Sequence, residues 1–207
     1  NRRTIVGFKF PHKKFNFDEY ARSCATDDFL GQTRRTVNGM PVSDEQIKMI
    51  VDAIRSALDI KSDDNLLDIA CGNGALSRSL FDSCSGYLGV DLSEYLISVA
   101  KKNFEKLPHY RFMQQGAVEY VRGESQPERI SKVLCYGSFQ YFPVADAAEV
   151  LRTLFEKFSN VQTVFIGNLP DKERMAVFYK KNQPTEEELL DCCSQMGIWR
   201  TQSEFAE

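Results

Sequence analysis

The chain has 207 residues, of which 43% are hydrophobic and 27% charged, and its formal net charge is -3. This length supports one well-buried core and is too short for two full domains. A near-balanced charge argues against a nucleic-acid-binding protein, which normally carries a basic excess, and no apolar run approaches the roughly 18 residues of a membrane-spanning helix.

Aromatic and basic residues are interleaved near the start of the chain, within residues 8–20. Such a pattern can provide stacking platforms for nucleic-acid bases, but without a basic excess we expect these aromatics to pack over an α/β core. Further on, Arg34 and Arg35 precede a turn at residues 38–39. These two arginines are either solvated or placed to bind an anionic ligand.

A helix is predicted from Ser43 to about Ile60. Ser43 is a favourable N-cap, and Gln46, three residues later, completes a capping-box pattern. Apolar residues recur with helical spacing and form a stripe that consists of Ile47, Ile50, Val51, Ile54 and Leu58. We expect this stripe to pack on a sheet.

The rest of the chain alternates between strand and helix patterns. Strands are predicted at 66–70, 86–91, 109–114, 130–136 and 161–167, and helices at 75–83, 93–106, 117–122 and 144–158. A further helix follows Pro170, and Thr185 is the expected N-cap of a helix that ends near Gln195. This alternation predicts an α/β fold, a doubly wound and mostly parallel sheet with both faces covered.

A glycine-rich turn follows the first of these strands. Gly72 and Gly74 let the backbone turn sharply and approach a ligand closely, and backbone N–H groups at such a strand-to-helix turn suit an anionic or nucleotide-like ligand. Asp91 ends the next strand, where one carboxylate can accept hydrogen bonds from both ribose hydroxyls. The sequence therefore predicts a nucleotide-like cofactor at this edge.

The residues that carry this prediction also resemble a known family. Residues 68–74, which read DIACGNG, and residues 89–93, which read GVDLS, are similar to the first two motifs of class I S-adenosylmethionine-dependent methyltransferases. The resemblance covers about half of the chain, residues 64–170, and departs at Ala70, where the family more often has glycine. It implies a Rossmann-like methyltransferase fold, S-adenosylmethionine as cofactor and S-adenosylhomocysteine as product.

The resemblance also implies a set of cofactor-binding residues on four loops. Asp68 is expected near the cationic methionine end of the cofactor, residues 115–118 near the adenine ring, and residues 136–138 near both the methionine chain and the acceptor. The complete predicted set is Asp68, Ala70, Cys71, Gly72, Asn73, Gly74, Asp91, Leu92, Gln115, Gly116, Ala117, Val118, Tyr136, Gly137 and Ser138.

By the same resemblance, residues 1–45 are predicted to form a lid over the cofactor and residues 46–207 the cofactor-binding domain. His12 and Tyr20 in that lid are the candidate catalytic residues, since an acceptor hydroxyl of high pKa requires a nearby base. The family's C-terminal strand hairpin is expected to be missing or incomplete, because residues 198–207 are too few and too polar to form it.

The predicted function is methyl transfer to an oxygen or nitrogen of a small-molecule acceptor. Two alternatives stay open: an NAD-dependent oxidoreductase that uses Gly72, Gly74 and Asp91, and a non-catalytic cofactor-binding subunit. The oxidoreductase is less compatible with the sequence, since Ser77 stands where the third glycine of its motif is expected.

The cysteines indicate neither a disulfide framework nor a metal site. They form no C-x-x-C pair, and only His12 and His109 could complete a zinc site, so we expect reduced structural cysteines, no metal and a cytoplasmic protein. No signal peptide is visible in the sequence. Cys71 in the glycine loop is either modifiable or simply a small side chain that fits. The six cysteines are Cys24, Cys71, Cys84, Cys135, Cys192 and Cys193.

Overall fold

A five-stranded parallel sheet forms the centre of the protein. The structure, a computed structural model, describes residues 15–37, 40–179 and 183–206. The strands are β1 (Thr36–Val37), β2 (Met40–Pro41), β3 (Asn65–Ile69), β4 (Gly86–Asp91), β5 (Tyr110–Gln114), β6 (Lys132–Tyr136) and β7 (Thr163–Gly167). The sheet order is β5-β4-β3-β6-β7 with every pairing parallel, and β1 and β2 form a separate antiparallel pair. This confirms the predicted doubly wound fold.

Helices cover both faces of the sheet. They are α1 (Phe17–Ser23), α2 (Phe29–Gln32), α3 (Asp44–Leu58), α4 (Glu94–Phe104), α5 (Ala117–Gly123), α6 (Val144–Lys157), α7 (Met175–Phe178), α8 (Glu186–Leu189) and α9 (Gln202–Ala206). Short 3₁₀ segments occupy Ser77–Ser83, Pro127–Arg129, Phe139–Tyr141 and Lys172–Arg174. Among the described residues, no helix is both long and apolar enough to cross a bilayer.

Both faces of the sheet are buried. Successive side chains of a strand point to opposite faces, so each strand contributes to two cores. Leu66 and Leu134 are fully buried on the face covered by α3 and α4, and Leu67 and Val133 on the face covered by α5 and α6. The predicted apolar stripe of α3 lies in the first of these two cores. The strands therefore read as nearly continuous apolar runs, as parallel strands usually do.

Two helix predictions need correction. The segment predicted as a helix at 75–83 contains a 3₁₀ helix, Ser77–Ser83. Its N-cap, Leu76, has no side chain that could accept a hydrogen bond, and the Ser77 hydroxyl donates to Asp68. The helix predicted from Thr185 to Gln195 ends at Leu189. Asp191 accepts a hydrogen bond from the backbone N–H of Cys193 at 2.8 Å, and this local turn competes with further helix.

The strand β7 forms one edge of the sheet, where the hairpin that was expected to be missing or incomplete would have continued it. In the described part of the chain after β7, helices and one isolated bridge between Asp171 and Arg200 take the place of further strands. Asp171 caps the 3₁₀ segment that follows it, since its side chain accepts from the N–H of Glu173 at 2.9 Å. The boundary predicted between the lid and the domain at residue 45 stays a prediction.

Ser43→Ala is expected to lower the free energy of unfolding by about 1 kcal/mol, because it removes the N-cap of the long helix α3. The Ser43 hydroxyl accepts from the N–H of Gln46 and the Gln46 side chain accepts from the N–H of Ser43, which completes the capping box. Urea unfolding measures the change. Ser56→Ala, at an exposed position of the same helix, is the control; an equal loss in both variants would contradict a capping role.

Candidate cofactor site at the carboxyl edge of the sheet

The predicted cofactor-binding residues converge at the carboxyl ends of four neighbouring strands. Asp68 lies within β3 and residues 70–74 follow that strand, while Asp91 ends β4, residues 115–118 follow β5, and residues 136–138 end and follow β6. The chain order reverses at β3, because β4 and β5 lie to one side and β6 and β7 to the other. Open α/β sheets bind their ligands in the crevice at such a switch point.

The loop after β3 adopts the tight backbone that the glycines predict. Gly72 and Gly74 have φ values of 59° and 72°, in the left-handed region that glycine occupies without steric cost. Ala70 also has a positive φ, 57°, at a cost of roughly 1 kcal/mol for a residue with a Cβ. The Ser138 hydroxyl donates to the Ala70 carbonyl at 3.2 Å, which joins this loop to the loop after β6.

Asp91 connects the loop after β3 (residues 70–74, called the glycine loop) to the end of β4. Its carboxylate accepts hydrogen bonds from the backbone N–H groups of Gly72 and Ser93, both at 2.8 Å. Burial raises the pKa of Asp91, and these two N–H donors oppose the rise. A carboxylate has about four lone-pair positions, so Asp91 retains acceptor capacity for a ligand.

Asp68 is a buried acid with two hydroxyl donors. The Tyr87 hydroxyl donates to its carboxylate at 2.9 Å, and the Ser77 hydroxyl donates to the same oxygen. The side chain is only 2% exposed, and burial raises its pKa from 3.8 to about 6 against the effect of the two hydroxyls. Asp91 contributes a smaller rise, so the two carboxylates lie within electrostatic reach of each other. The sequence did not predict that Ser77 and Tyr87 contact Asp68.

Arg35 brings a half-buried cation to the same region. Its Nη2 donates to the Tyr136 carbonyl at 3.2 Å, and its guanidinium lies 4.8 Å from the centre of the Tyr136 ring. Burial lowers the Arg35 pKa, but guanidinium remains charged in proteins. The Nε atom is buried and has no hydrogen-bond partner among the described residues. Of the two arginines considered from sequence, Arg35 is thus the one with a buried donor that has no partner among the described residues.

Arg34 has a different environment. Its Nη1 donates to the Gln195 carbonyl at 2.7 Å, and its guanidinium lies 4.7 Å from the centre of the Phe15 ring. The side chain therefore links the N-terminal segment, defined here as residues 15–37, to the C-terminal part of the chain. The sequence offered no signal to distinguish these adjacent arginines.

Asn73 anchors the N-terminal segment against the glycine loop. Its amide nitrogen donates to the Phe29 carbonyl at 2.8 Å and to Oε1 of Gln32 at 3.0 Å, and the side chain is fully buried. A Cβ built on Gly72 would lie 2.9 Å from the Thr33 methyl group. A ligand on this loop would therefore contact the N-terminal segment or displace it, and the side chain of Asn73 is not available to such a ligand.

The aromatic residues of the N-terminal segment pack on the loop after β6. The Phe17 ring lies 4.7 Å from the rings of both Phe15 and Tyr141, and Tyr20 lies 5.8 Å from Phe15. Burial raises the pKa of Tyr20, so its phenol is protonated at neutral pH and can donate a hydrogen bond but not act as a base. His12, the other catalytic candidate, lies outside the described residues.

The opposite side of the edge, next to β5, is more open. Leu92 is 74% exposed immediately after Asp91, and Gly116 is the N-cap of α5. The Gln115 backbone N–H donates to the Asp91 carbonyl at 3.0 Å, which holds this loop beside β4. Residues 115–118 are half-buried. An apolar side chain and accessible backbone at this position suit a flat aromatic ligand group.

Comparisons with known proteins find similarity to methyltransferases. Residues 66–158 match a family model described as a methyltransferase domain. The chain is 30% identical over 110 residues to the ribosomal RNA small subunit methyltransferase A of Saccharophagus degradans, which covers 53% of this chain and 40% of that protein. It is 25% identical over 114 residues to the ubiquinone biosynthesis O-methyltransferase of Nitrosospira multiformis, and this alignment covers 55% of this chain and 46% of that protein. The chain thus spans less than half the length of these relatives.

The fold is also found in solved structures. The crystal structure of the small RNA methyltransferase HEN1 superposes with a TM-score of 0.60 at 18% identity, over 83% of this chain and 22% of that one. At such low identity, the similarity concerns the fold alone.

Proposed function

We propose that this chain, which carries a methyltransferase domain of the class I S-adenosylmethionine-dependent family, transfers a methyl group to an oxygen or nitrogen of a small-molecule acceptor. The family implies S-adenosylmethionine as the methyl donor. The acceptor class and the site residues are our proposal.

The opposite charges of Arg35 and Asp68 carry the proposal. The methionine end of S-adenosylmethionine has a carboxylate, an ammonium and a sulfonium, so it requires a cation and an anion close together. Arg35 has a buried Nε donor without a partner among the described residues, and Asp68 contributes to the electrostatics of Arg35. NAD has no such amino-acid end, and a pyrophosphate beside the buried Asp68 would be repelled.

The other loops would hold the rest of the cofactor. We assign the ribose hydroxyls to Asp91, because its carboxylate has free acceptor positions. We assign the adenine ring to Leu92 and residues 115–118, because they offer an accessible, partly apolar surface. The aromatic faces of Tyr136 and Tyr141 would line the sulfonium region, where cation–π attraction favours a positive charge.

The reaction asks mainly for alignment and exclusion of water. S-adenosylmethionine supplies a methyl group that is already activated for transfer. Phe15, Phe17 and Tyr141 form an aromatic wall over the loop after β6, and such a wall would hold an acceptor in line and keep water out. The protonated Tyr20 would orient an acceptor by donating a hydrogen bond. His12 remains the candidate base.

RNA is the competing acceptor, because two of the similar proteins are named as RNA methyltransferases. The net charge of -3 argues against it, since phosphate backbones are usually met by a basic surface. Incubation with cofactor carrying a labelled methyl group, small metabolites and total RNA would separate the two. Label in the small-molecule fraction supports the proposal, and label in RNA alone contradicts it.

Calorimetry tests the cofactor directly. S-adenosylhomocysteine is expected to bind, and tighter binding of NAD would favour the oxidoreductase alternative. Binding of S-adenosylhomocysteine without methyl transfer to any acceptor would instead favour the non-catalytic subunit.

The affinity for S-adenosylhomocysteine is expected to fall as the pH drops through about 6. The ligand carries an ammonium group that an ionised Asp68 would attract, and burial places the Asp68 pKa at about 6. If only the ionised form binds, the affinity at pH 5.5 is about fourfold weaker than at pH 7.5. Calorimetry at both pH values measures the change, and Asp68→Asn should remove this dependence. An unchanged dependence in Asp68→Asn would assign it to another group.

Without ligand, the same group affects stability in the opposite direction. Its pKa is near 3.8 in the unfolded chain and about 6 in the folded one, so the folded state binds more protons between these values. The contribution of Asp68 to stability therefore falls as the pH rises through this window and is constant above it. Urea unfolding of the wild type and of Asp68→Asn distinguishes this effect from the effect on binding.

A further inference from the structure

Three potential metal ligands lie together in the loop after α8. One ligand atom each from Asp191, Cys192 and Cys193 lies within 4.8 Å of the other two, and all three residues are half-buried. The two cysteines are adjacent in the chain, so they escape the C-x-x-C pattern by which zinc sites are recognised in a sequence. This cluster lies outside the proposed cofactor residues.

The two sulfurs are already at a distance that suits one tetrahedral ion. Their separation is 4.0 Å. Two thiolates bound to zinc at about 2.3 Å in tetrahedral geometry lie about 3.8 Å apart. Only a small adjustment of the two side chains would therefore bring both sulfurs onto the same ion.

Asp191 is held in place by the loop itself. Its Oδ1 accepts from the Cys193 backbone N–H at 2.8 Å, and its carbonyl accepts from the Ser194 N–H at 3.1 Å. The second carboxylate oxygen, Oδ2, has no hydrogen-bond or ion-pair partner in the described part of the chain. One oxygen thus fixes the turn while the other remains available as a ligand.

We propose that Asp191, Cys192 and Cys193 bind a thiophilic divalent cation such as Zn²⁺. Each thiol loses its proton to water as a metal–sulfur bond forms, and the carboxylate supplies the third protein ligand. The fourth tetrahedral position is left to water or to a small ligand.

The ion would also stiffen the contact between this loop and the N-terminal segment. The Cys193 carbonyl accepts from the Phe15 backbone N–H at 3.3 Å, and the Gln195 carbonyl accepts from Arg34 and from the Tyr141 hydroxyl. Phe15 packs on Phe17 beside Tyr141. Metal binding would therefore reach the aromatic wall through backbone hydrogen bonds.

Titration of the reduced chain with Cd²⁺ tests the site. We expect one ion per chain with the ultraviolet charge-transfer band of a cadmium thiolate, and competition by Zn²⁺ in equilibrium dialysis. Cys192→Ser and Cys193→Ser should each weaken binding at least roughly tenfold, since loss of even an outer-shell partner costs that much. Cys24→Ser removes a thiol outside the cluster and should change nothing. A full-strength band in both loop variants, or an equal loss in Cys24→Ser, would overturn the proposal.

Hydrogen exchange provides a second readout that does not depend on the spectrum. Zn²⁺ should slow exchange of the Phe15 amide in the wild type and leave it unchanged in Cys192→Ser and Cys193→Ser. Equal exchange with and without Zn²⁺ in the wild type would contradict the link to the N-terminal segment. Neither readout requires methyl transfer, so the proposal stands or fails independently of the proposed function.

Discussion

Asp91→Ala is expected to weaken the binding of S-adenosylhomocysteine by about 2 kcal/mol or more, roughly thirtyfold, as two charge-assisted hydrogen bonds to the ribose are lost. The substitution also deprives the N–H groups of Gly72 and Ser93 of their acceptor, so the loop that would hold the cofactor loosens as well. Calorimetry measures the affinity, and circular dichroism shows whether the variant is folded.

Two further variants separate these effects. Asp91→Asn keeps the shape and one acceptor oxygen but loses the charge, so it should lie between the wild type and Asp91→Ala. Glu94→Ala removes the same charge from an exposed position near the same edge and should bind normally. Wild-type affinity in Asp91→Ala would show that the ribose assignment is wrong.

Arg35→Met is expected to weaken cofactor binding by about 1.5–3 kcal/mol, between roughly tenfold and 150-fold, the usual range for a hydrogen bond to a charged group. The stability of the ligand-free protein should change little or rise. Arg35 is a half-buried cation whose buried Nε has no partner among the described residues, so its desolvation is only partly offset in the absence of ligand. Calorimetry and urea unfolding on the same preparation test both parts.

The adjacent arginine provides the matched control. Arg34→Met should lose the hydrogen bond to the Gln195 carbonyl and the contact with Phe15, with little effect on cofactor affinity. Equal losses of affinity in the two variants would indicate a general effect of the N-terminal segment rather than a carboxylate contact at Arg35.

Local patterns in the sequence predicted most of the scaffold. The strand ranges agree with the structure to within two residues at each end, and the capping box at Ser43 is present. Gly72, Gly74 and Asp91 lie together at the carboxyl edge, as their position after two successive strands indicated. These features depend on backbone geometry and on residues a few positions apart, so a single segment contains the whole signal.

Other features of the site depend on residues far apart in the chain. Tyr87 and Ser77 meet Asp68 only because β4 lies beside β3 and the intervening loop folds back, and the resulting burial raises the pKa of Asp68. The side chain of Asn73, a residue of the predicted cofactor-binding set, donates hydrogen bonds to Phe29 and Gln32. No spacing rule encodes such contacts.

The sequence by itself thus determined the alternating α/β architecture, the turn that favours a ligand and the family resemblance, since each follows from local periodicity or from a short motif. Only the tertiary structure decided that Arg35 has a buried donor without a partner among the described residues, within electrostatic reach of Asp68, and that Asp191 and two adjacent cysteines form one cluster. Desolvation and the distance between side chains arise when distant segments pack together, and neither can be read from a single stretch of chain.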